Sequence, residues 1–90
     1  MQKSVHTKEY KALRAELRAT REKAGLSQRD LAAKLDVPHS WVAKVEAGER
    51  RIDVVELAWF LAACGENAAT ATRDLVASFA RGGWPKGRLS

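Results

Sequence analysis

The side chains most often used in catalysis or metal binding are few in this sequence, and they are not grouped. The two histidines, His6 and His39, are far apart in the chain, and the single cysteine, Cys64, falls within an apolar stretch. The spacings typical of a serine triad, a zinc-protease helix or a glycine-rich phosphate loop are absent from the sequence. The sequence therefore predicts no enzyme, no cofactor and no metal site, and Cys64 is expected to be a small buried apolar side chain.

The chemistry that remains is that of cationic side chains. The chain has 16 Lys and Arg against 11 Asp and Glu, a formal net charge of +5. Residues 1–24 carry seven basic and three acidic side chains, residues 52–80 carry one basic and four acidic, and the last ten residues carry three basic. A basic half beside an acidic segment indicates an oriented electrostatic surface, for which an anionic polymer is the expected partner.

The composition predicts one helical domain over residues 1–90. Sixteen alanines, nine leucines and a single isoleucine favour closely packed helices over a sheet. No apolar run approaches the roughly 20 residues that span a bilayer, and the polar start of the chain does not resemble a signal peptide. We therefore expect a cytoplasmic protein with no membrane partner.

Capping signals and apolar spacing predict five helices. Ser27 and Asp53 are each followed three positions later by an acidic residue, which marks the start of a helix. Pro38 fits the first turn of the third helix. Asp36 occupies the turn before it, and aspartate tolerates left-handed backbone better than most residues. The predicted helices, caps included, cover about 7–24, 27–36, 38–47, 53–65 and 67–80.

The second and third predicted helices are short and are joined by a tight turn, which is the pattern of a helix-turn-helix. Residues 25–32 read GLSQRDLA, residues 40–48 read SWVAKVEAG and residues 49–56 read ERRIDVVE. With these motifs, residues 13–65 resemble the Xre family, the DNA-binding domains of Cro and phage-repressor type. The resemblance implies an all-α, five-helix, lambda-repressor-like fold that binds double-stranded DNA, usually as a dimer, and controls transcription.

The resemblance assigns base reading to the third helix, whose counterpart in the family enters the major groove. Lys44 can donate to guanine O6 and N7, and His39 and Ser40 can donate or accept. Ala43 offers only a methyl contact to thymine, at a position where the family more often has a small polar residue. The structural alternative for Lys44, His39 and Ser40 is an ordinary solvated side chain.

The resemblance also implies a set of phosphate contacts. Gln28 begins the second helix, where backbone amides and the helix dipole favour an anion, and the family commonly uses a glutamine there. The other candidates are Arg29, Trp41, Arg50 and Arg51. As structural alternatives, Trp41 belongs partly to the core, and one of the two loop arginines pairs with Glu49 or Asp53. Glu46 is expected to be structural, bridging to an arginine or to the backbone.

The function implied is a small transcriptional regulator, in the first place a repressor that binds a palindromic operator as a homodimer. The dimer surface is expected on the fifth helix, at Leu75, Val76 and Phe79, unless these side chains only complete the core. We expect such a protein to be of bacterial or phage origin and to associate with the nucleoid in the cytoplasm. The alternative is a protein-interaction module on the same fold, an antitoxin or an antiactivator, with a regulatory protein as its partner.

Overall fold

The computed structural model describes residues 7–81, which form five α-helices and no strand. The helices are α1 (Lys8–Lys23), α2 (Gln28–Leu35), α3 (His39–Ala47), α4 (Val54–Ala63) and α5 (Ala68–Ala80). The predicted all-α class is confirmed, and each boundary lies within two residues of the predicted one. None of the helices in this part of the chain is long and apolar enough to cross a membrane.

The helix starts form at the predicted capping residues. The Ser27 hydroxyl accepts a hydrogen bond from the Asp30 amide, and the Asp30 carboxylate accepts one from the Ser27 amide, both at 3.0 Å. Asp53 and Glu56 form the same reciprocal pair at the start of α4. These bonds satisfy amides that a helix leaves unpaired, and the hydrogen bonds from Ser27 lower the pKa of Asp30.

The turn between α2 and α3 has the predicted left-handed residue and one difference from the prediction. Asp36 lies at φ 56° and ψ 48°, in the left-handed region. Pro38 is the residue before α3 and not part of its first turn, because its ψ of 145° is extended. Its carbonyl oxygen accepts from the Trp41 amide at 2.9 Å, so the proline still begins the hydrogen bonding of the helix.

One apolar core joins the first four helices. The largest fully buried side chains are Phe60, Leu17, Leu31, Leu61, Val42 and Val45. Cys64 is buried in the same cluster, as predicted, and burial raises the pKa of its thiol. α3 contributes only Val42 and Val45 as fully buried side chains, so most of its surface is left for other contacts. α5 has no fully buried residue and packs on the core through partly buried side chains.

Candidate nucleic-acid interface

The side chains assigned to base reading lie on the part of α3 that faces away from the core. His39, Ser40 and Lys44 are exposed, and Ala43 is half-buried. Their positions alternate along α3 with Val42 and Val45, which are buried against the rest of the protein. α3 therefore presents one polar, cationic stripe to solvent, which is the arrangement that insertion into a DNA groove requires.

The side chain at the start of α2 is tied to α3. Gln28 is half-buried, and its Nε2 donates to Glu46 Oε1 at 3.0 Å. An amide nitrogen carries two hydrogens, so this bond leaves one donor of Gln28 for a phosphate. Arg29, the next residue, is exposed. The predicted phosphate contacts of α2 are thus held beside the predicted reading helix.

A buried ion pair holds α3 against α1. Arg21 Nε and Nη2 donate to the two carboxylate oxygens of Glu46 at 2.6 and 2.9 Å, and Arg21 Nη1 donates to the Leu26 carbonyl at 2.8 Å. The two side chains are only 8% and 4% exposed. The hydrogen bonds to Glu46 raise the pKa of Arg21. Glu46 therefore has the structural role expected of it, and its partner is now identified.

The two arginines after α3 have different surroundings. Arg50 donates to both carboxylate oxygens of Glu56, at 3.1 and 3.0 Å, and to the Arg51 carbonyl at 2.8 Å. Its guanidinium carbon lies 5.0 Å from the centre of the Trp41 ring. The ion pair raises the pKa of Arg50 and lowers that of Glu56. The partner is thus Glu56 and not the Glu49 or Asp53 considered from the sequence.

Arg51, by contrast, is exposed, and its guanidinium lies over an aromatic ring. Its guanidinium carbon lies 5.9 Å from the centre of the Tyr10 ring. The Tyr10 hydroxyl in turn accepts from the Ile52 amide at 2.9 Å, which ties the loop to α1. Among residues 7–81, Arg29, Lys44 and Arg51 have no carboxylate partner within 4.0 Å. These three cations keep their charge available for an external anion.

The end of α3 depends on a glycine for two reasons. Gly48 has a φ of +78°, and a Cβ there would lie 2.7 Å from Arg14 Nη1. The same nitrogen of Arg14 donates to the Glu46 carbonyl at 3.4 Å. A side chain at residue 48 would therefore be strained by its backbone conformation and would displace the Arg14 guanidinium from the last turn of α3.

Sequence reasoning missed Arg21 as a site-building residue, although the sequence contains a signal for it. Arg21 follows Leu17 by four positions on the stripe that buries α1, and Glu46 follows Val42 by four positions on α3. Two opposite charges that each continue an apolar stripe indicate a buried pair. The bond between Arg50 and Glu56 has no comparable signal, because it depends on the path of the loop.

The three predicted dimer residues do not share one environment. Leu75 and Phe79 are partly buried and pack against the core cluster, whereas Val76 is 56% exposed. Further exposed apolar side chains lie on α4, where Val54 is 68% and Trp59 61% exposed. α5 therefore packs on the core with one side and leaves Val76 exposed to solvent.

The helices and the exposed α3 define a helix-turn-helix protein, and comparisons with known proteins agree. A family model described as a helix-turn-helix domain matches residues 12–81. A solved structure, an XRE-family like protein from Pseudomonas syringae pv. tomato str. DC3000, is similar with a TM-score of 0.75 and 37% identity. The match covers 83% of this chain and 92% of that one. The chain belongs to the XRE-type helix-turn-helix family. No curated protein matches it.

Membership places the chain in a class with a known general activity. XRE-type helix-turn-helix domains are DNA-binding regulators and are typically not enzymes. The family resemblance stated from residues 13–65 is thereby confirmed.

Proposed function

We propose that the protein is a sequence-specific repressor of transcription that binds a palindromic operator as a homodimer. The observation that carries this proposal is that three cations close to α3, none of them with a carboxylate partner among residues 7–81, lie at or beside its exposed stripe. Lys44 lies on the exposed stripe of α3. Arg29 is the second residue of α2, the helix that packs against α3, and Arg51 lies in the loop after α3. DNA affinity comes largely from such charges, since each phosphate contact releases counterions.

In this proposal α3 lies in the major groove and reads bases with four residues. Lys44 donates to guanine O6 and N7, His39 and Ser40 hydrogen-bond to base edges, and Ala43 contacts a thymine methyl group. The phosphate contacts come from Gln28, Arg29, Trp41, Arg50 and Arg51. Arg50 contributes least net charge among the basic ones, because Glu56 neutralises it.

The proposal includes a homodimer, because one helix-turn-helix reads few base pairs. Two copies related by a two-fold axis place their reading helices about 34 Å apart, one turn of DNA. Val76 supplies exposed apolar surface on α5 for the contact, with Leu75 and Phe79 next to it. Residues 1–90 then act as one domain, with the helix-turn-helix core over 13–65. Such a repressor acts in the cytoplasm, on bacterial nucleoid DNA or a phage genome.

Selection of bound duplexes from a random pool tests the proposal. We expect one enriched sequence with two inverted halves whose centres are about 10–10.5 base pairs apart. The selection is repeated at two salt concentrations, because specific contacts keep their preference as nonspecific affinity falls. A pool with no enriched sequence at either concentration would show that sequence-specific binding is not the function.

A second candidate function has one observation in its favour. Val54, Val55 and Trp59 expose apolar surface on α4, and such surface is typical of protein contacts. On this reading the protein is an antitoxin or antiactivator that binds a regulatory protein. A selection that enriches no duplex favours the antiactivator, which has kept the fold but lost DNA binding, whereas an antitoxin binds DNA and holds its partner on another face.

A further inference from the structure

The guanidinium of Arg50, a cation beside α3, is bound by other residues of the protein. We name the group formed by Trp41, Arg50 and Glu56 the arginine clamp. From its geometry we infer that Arg50 and Glu56 are positioning residues for DNA binding, which hold the first turn of α3 and the Arg51 loop in one fixed relation. This inference rests on the proposed function and assigns Arg50 a role other than a simple phosphate contact.

Three of the five N–H donors of Arg50 are used inside the protein. Both hydrogens of Nη1 are used, on the Arg51 carbonyl and on Glu56 Oε1, and Nη2 donates to Glu56 Oε2. One face of the guanidinium covers the Trp41 ring at 5.0 Å. Bidentate pairing and stacking are properties of the planar guanidinium that a lysine ammonium does not share.

The clamp joins the first turn of α3, the loop that follows α3 and the first turn of α4. Trp41 follows Ser40 in the first turn of α3, Arg51 is in the loop, and Glu56 is in the first turn of α4. Fixing Trp41 fixes the base-reading side chains beside it. Fixing the Arg51 carbonyl fixes the backbone from which the exposed Arg51 side chain extends. Reading residues and phosphate contact are thus kept in register before DNA arrives, which lowers the ordering cost of binding.

The charge of Glu56 makes the inference testable by the sign of an effect. Glu56 is an anion next to a surface proposed to face DNA, so electrostatics alone predicts that removing its charge strengthens binding. If the clamp positions the site, removing that charge weakens binding instead. Glu56→Gln is the suitable variant, because glutamine also forms a capping box and so preserves the start of α4.

The chain offers a matched control at Asp53. Asp53→Asn removes one negative charge three residues away and keeps an N-cap residue of equal quality. It leaves the contacts of Arg50 untouched. Arg50→Lys keeps the positive charge but loses the bidentate and stacking geometry, and Arg18→Lys is its control at an exposed arginine of α1 that has no assigned DNA contact. Thermal unfolding of all four variants shows that each is folded at the assay temperature.

Affinity for the selected operator is measured for each variant across a salt series. We expect Glu56→Gln and Arg50→Lys each to weaken binding about three- to tenfold with an unchanged salt slope, and their double variant to be no weaker than either. Asp53→Asn and Arg18→Lys should bind as tightly as the parent or more tightly. Equal or stronger binding by Glu56→Gln, matching Asp53→Asn, would overturn the inference.

A measurement without DNA separates the clamp from the proposed function. In a Trp59→Phe, Trp84→Phe background, Trp41 is the only tryptophan, and acrylamide quenching of its fluorescence reports how well its ring is covered. Glu56→Gln and Arg50→Lys should raise quenching, and Asp53→Asn should not. If the parent binds no duplex, the proposed function fails while the clamp is still judged by quenching. Unchanged quenching in both variants contradicts the clamp.

Discussion

At the scale of single residues, surroundings decide which cations can bind a ligand. Lys44, Arg50 and Arg51 lie within eight positions of one another and look equivalent in the sequence. Arg50 is neutralised by Glu56, whereas Lys44 and Arg51 have no carboxylate partner in the described part of the chain. A lysine on the exposed stripe of α3 can discriminate bases, and an arginine in the loop can only follow the backbone.

Lys44→Ala should therefore reduce the preference for the operator over a scrambled duplex. The expected loss of discrimination is about 1–3 kcal/mol, the usual contribution of a good base contact. Competition binding with both duplexes measures it. Lys23→Ala, at an exposed lysine in the last turn of α1, is the control and should leave the preference as it was. An undiminished preference in Lys44→Ala would remove Lys44 from the reading surface.

At the scale of elements, the buried pair of Arg21 and Glu46 sets how α3 lies on α1. Removing one partner leaves the other charge buried, so Arg21→Met should destabilise the fold by about 3–5 kcal/mol in urea unfolding. Arg21→Met with Glu46→Leu removes both charges and should recover most of that loss. The pair would have no structural importance if the single variant were as stable as the parent.

The turn between α2 and α3 carries measurable strain at Asp36. A left-handed backbone costs a non-glycine residue about 1–2 kcal/mol. A glycine lowers the stability of the fold by about 0.4–1 kcal/mol, because it gives the unfolded chain more conformational entropy. Asp36→Gly should therefore stabilise the protein by roughly 0.5 kcal/mol. Asp36→Asn removes the same charge and keeps a side chain that tolerates this backbone. A Gly variant less stable than the Asn variant would contradict the strain argument.

At the scale of the whole molecule, α5 links the fold to the proposed assembly. Val76→Asp should raise the monomer fraction in analytical ultracentrifugation. Val76 is exposed in the monomer, and a dimer that covers this position would bury the new carboxylate without a partner. Val76 is a cleaner probe than Phe79, which also packs on the core. Thr70→Asp adds the same charge on another side of α5 and should leave the assembly unchanged. A dimer that survives Val76→Asp must use another surface.

Helix positions were predictable because their signals are local. The capping pairs of Ser27 with Asp30 and of Asp53 with Glu56 span three residues each, and the bonds they make are decided within one turn. The left-handed Asp36 and the glycine after α3 are local in the same sense. The family motif lies across these elements, so the fold class followed from the sequence.

The sequence alone thus determined the five helices, their caps, the helix-turn-helix and the residues that α3 exposes. The tertiary structure decided which cations are free, which apolar side chains of α5 remain exposed, and that Arg50 stacks on Trp41 and pairs with Glu56. The physical reason is the separation in the chain between the residues that interact. A cap or a turn is stabilised by neighbours in the chain, whereas a pairing between helices exists only once the core has fixed their distance and crossing.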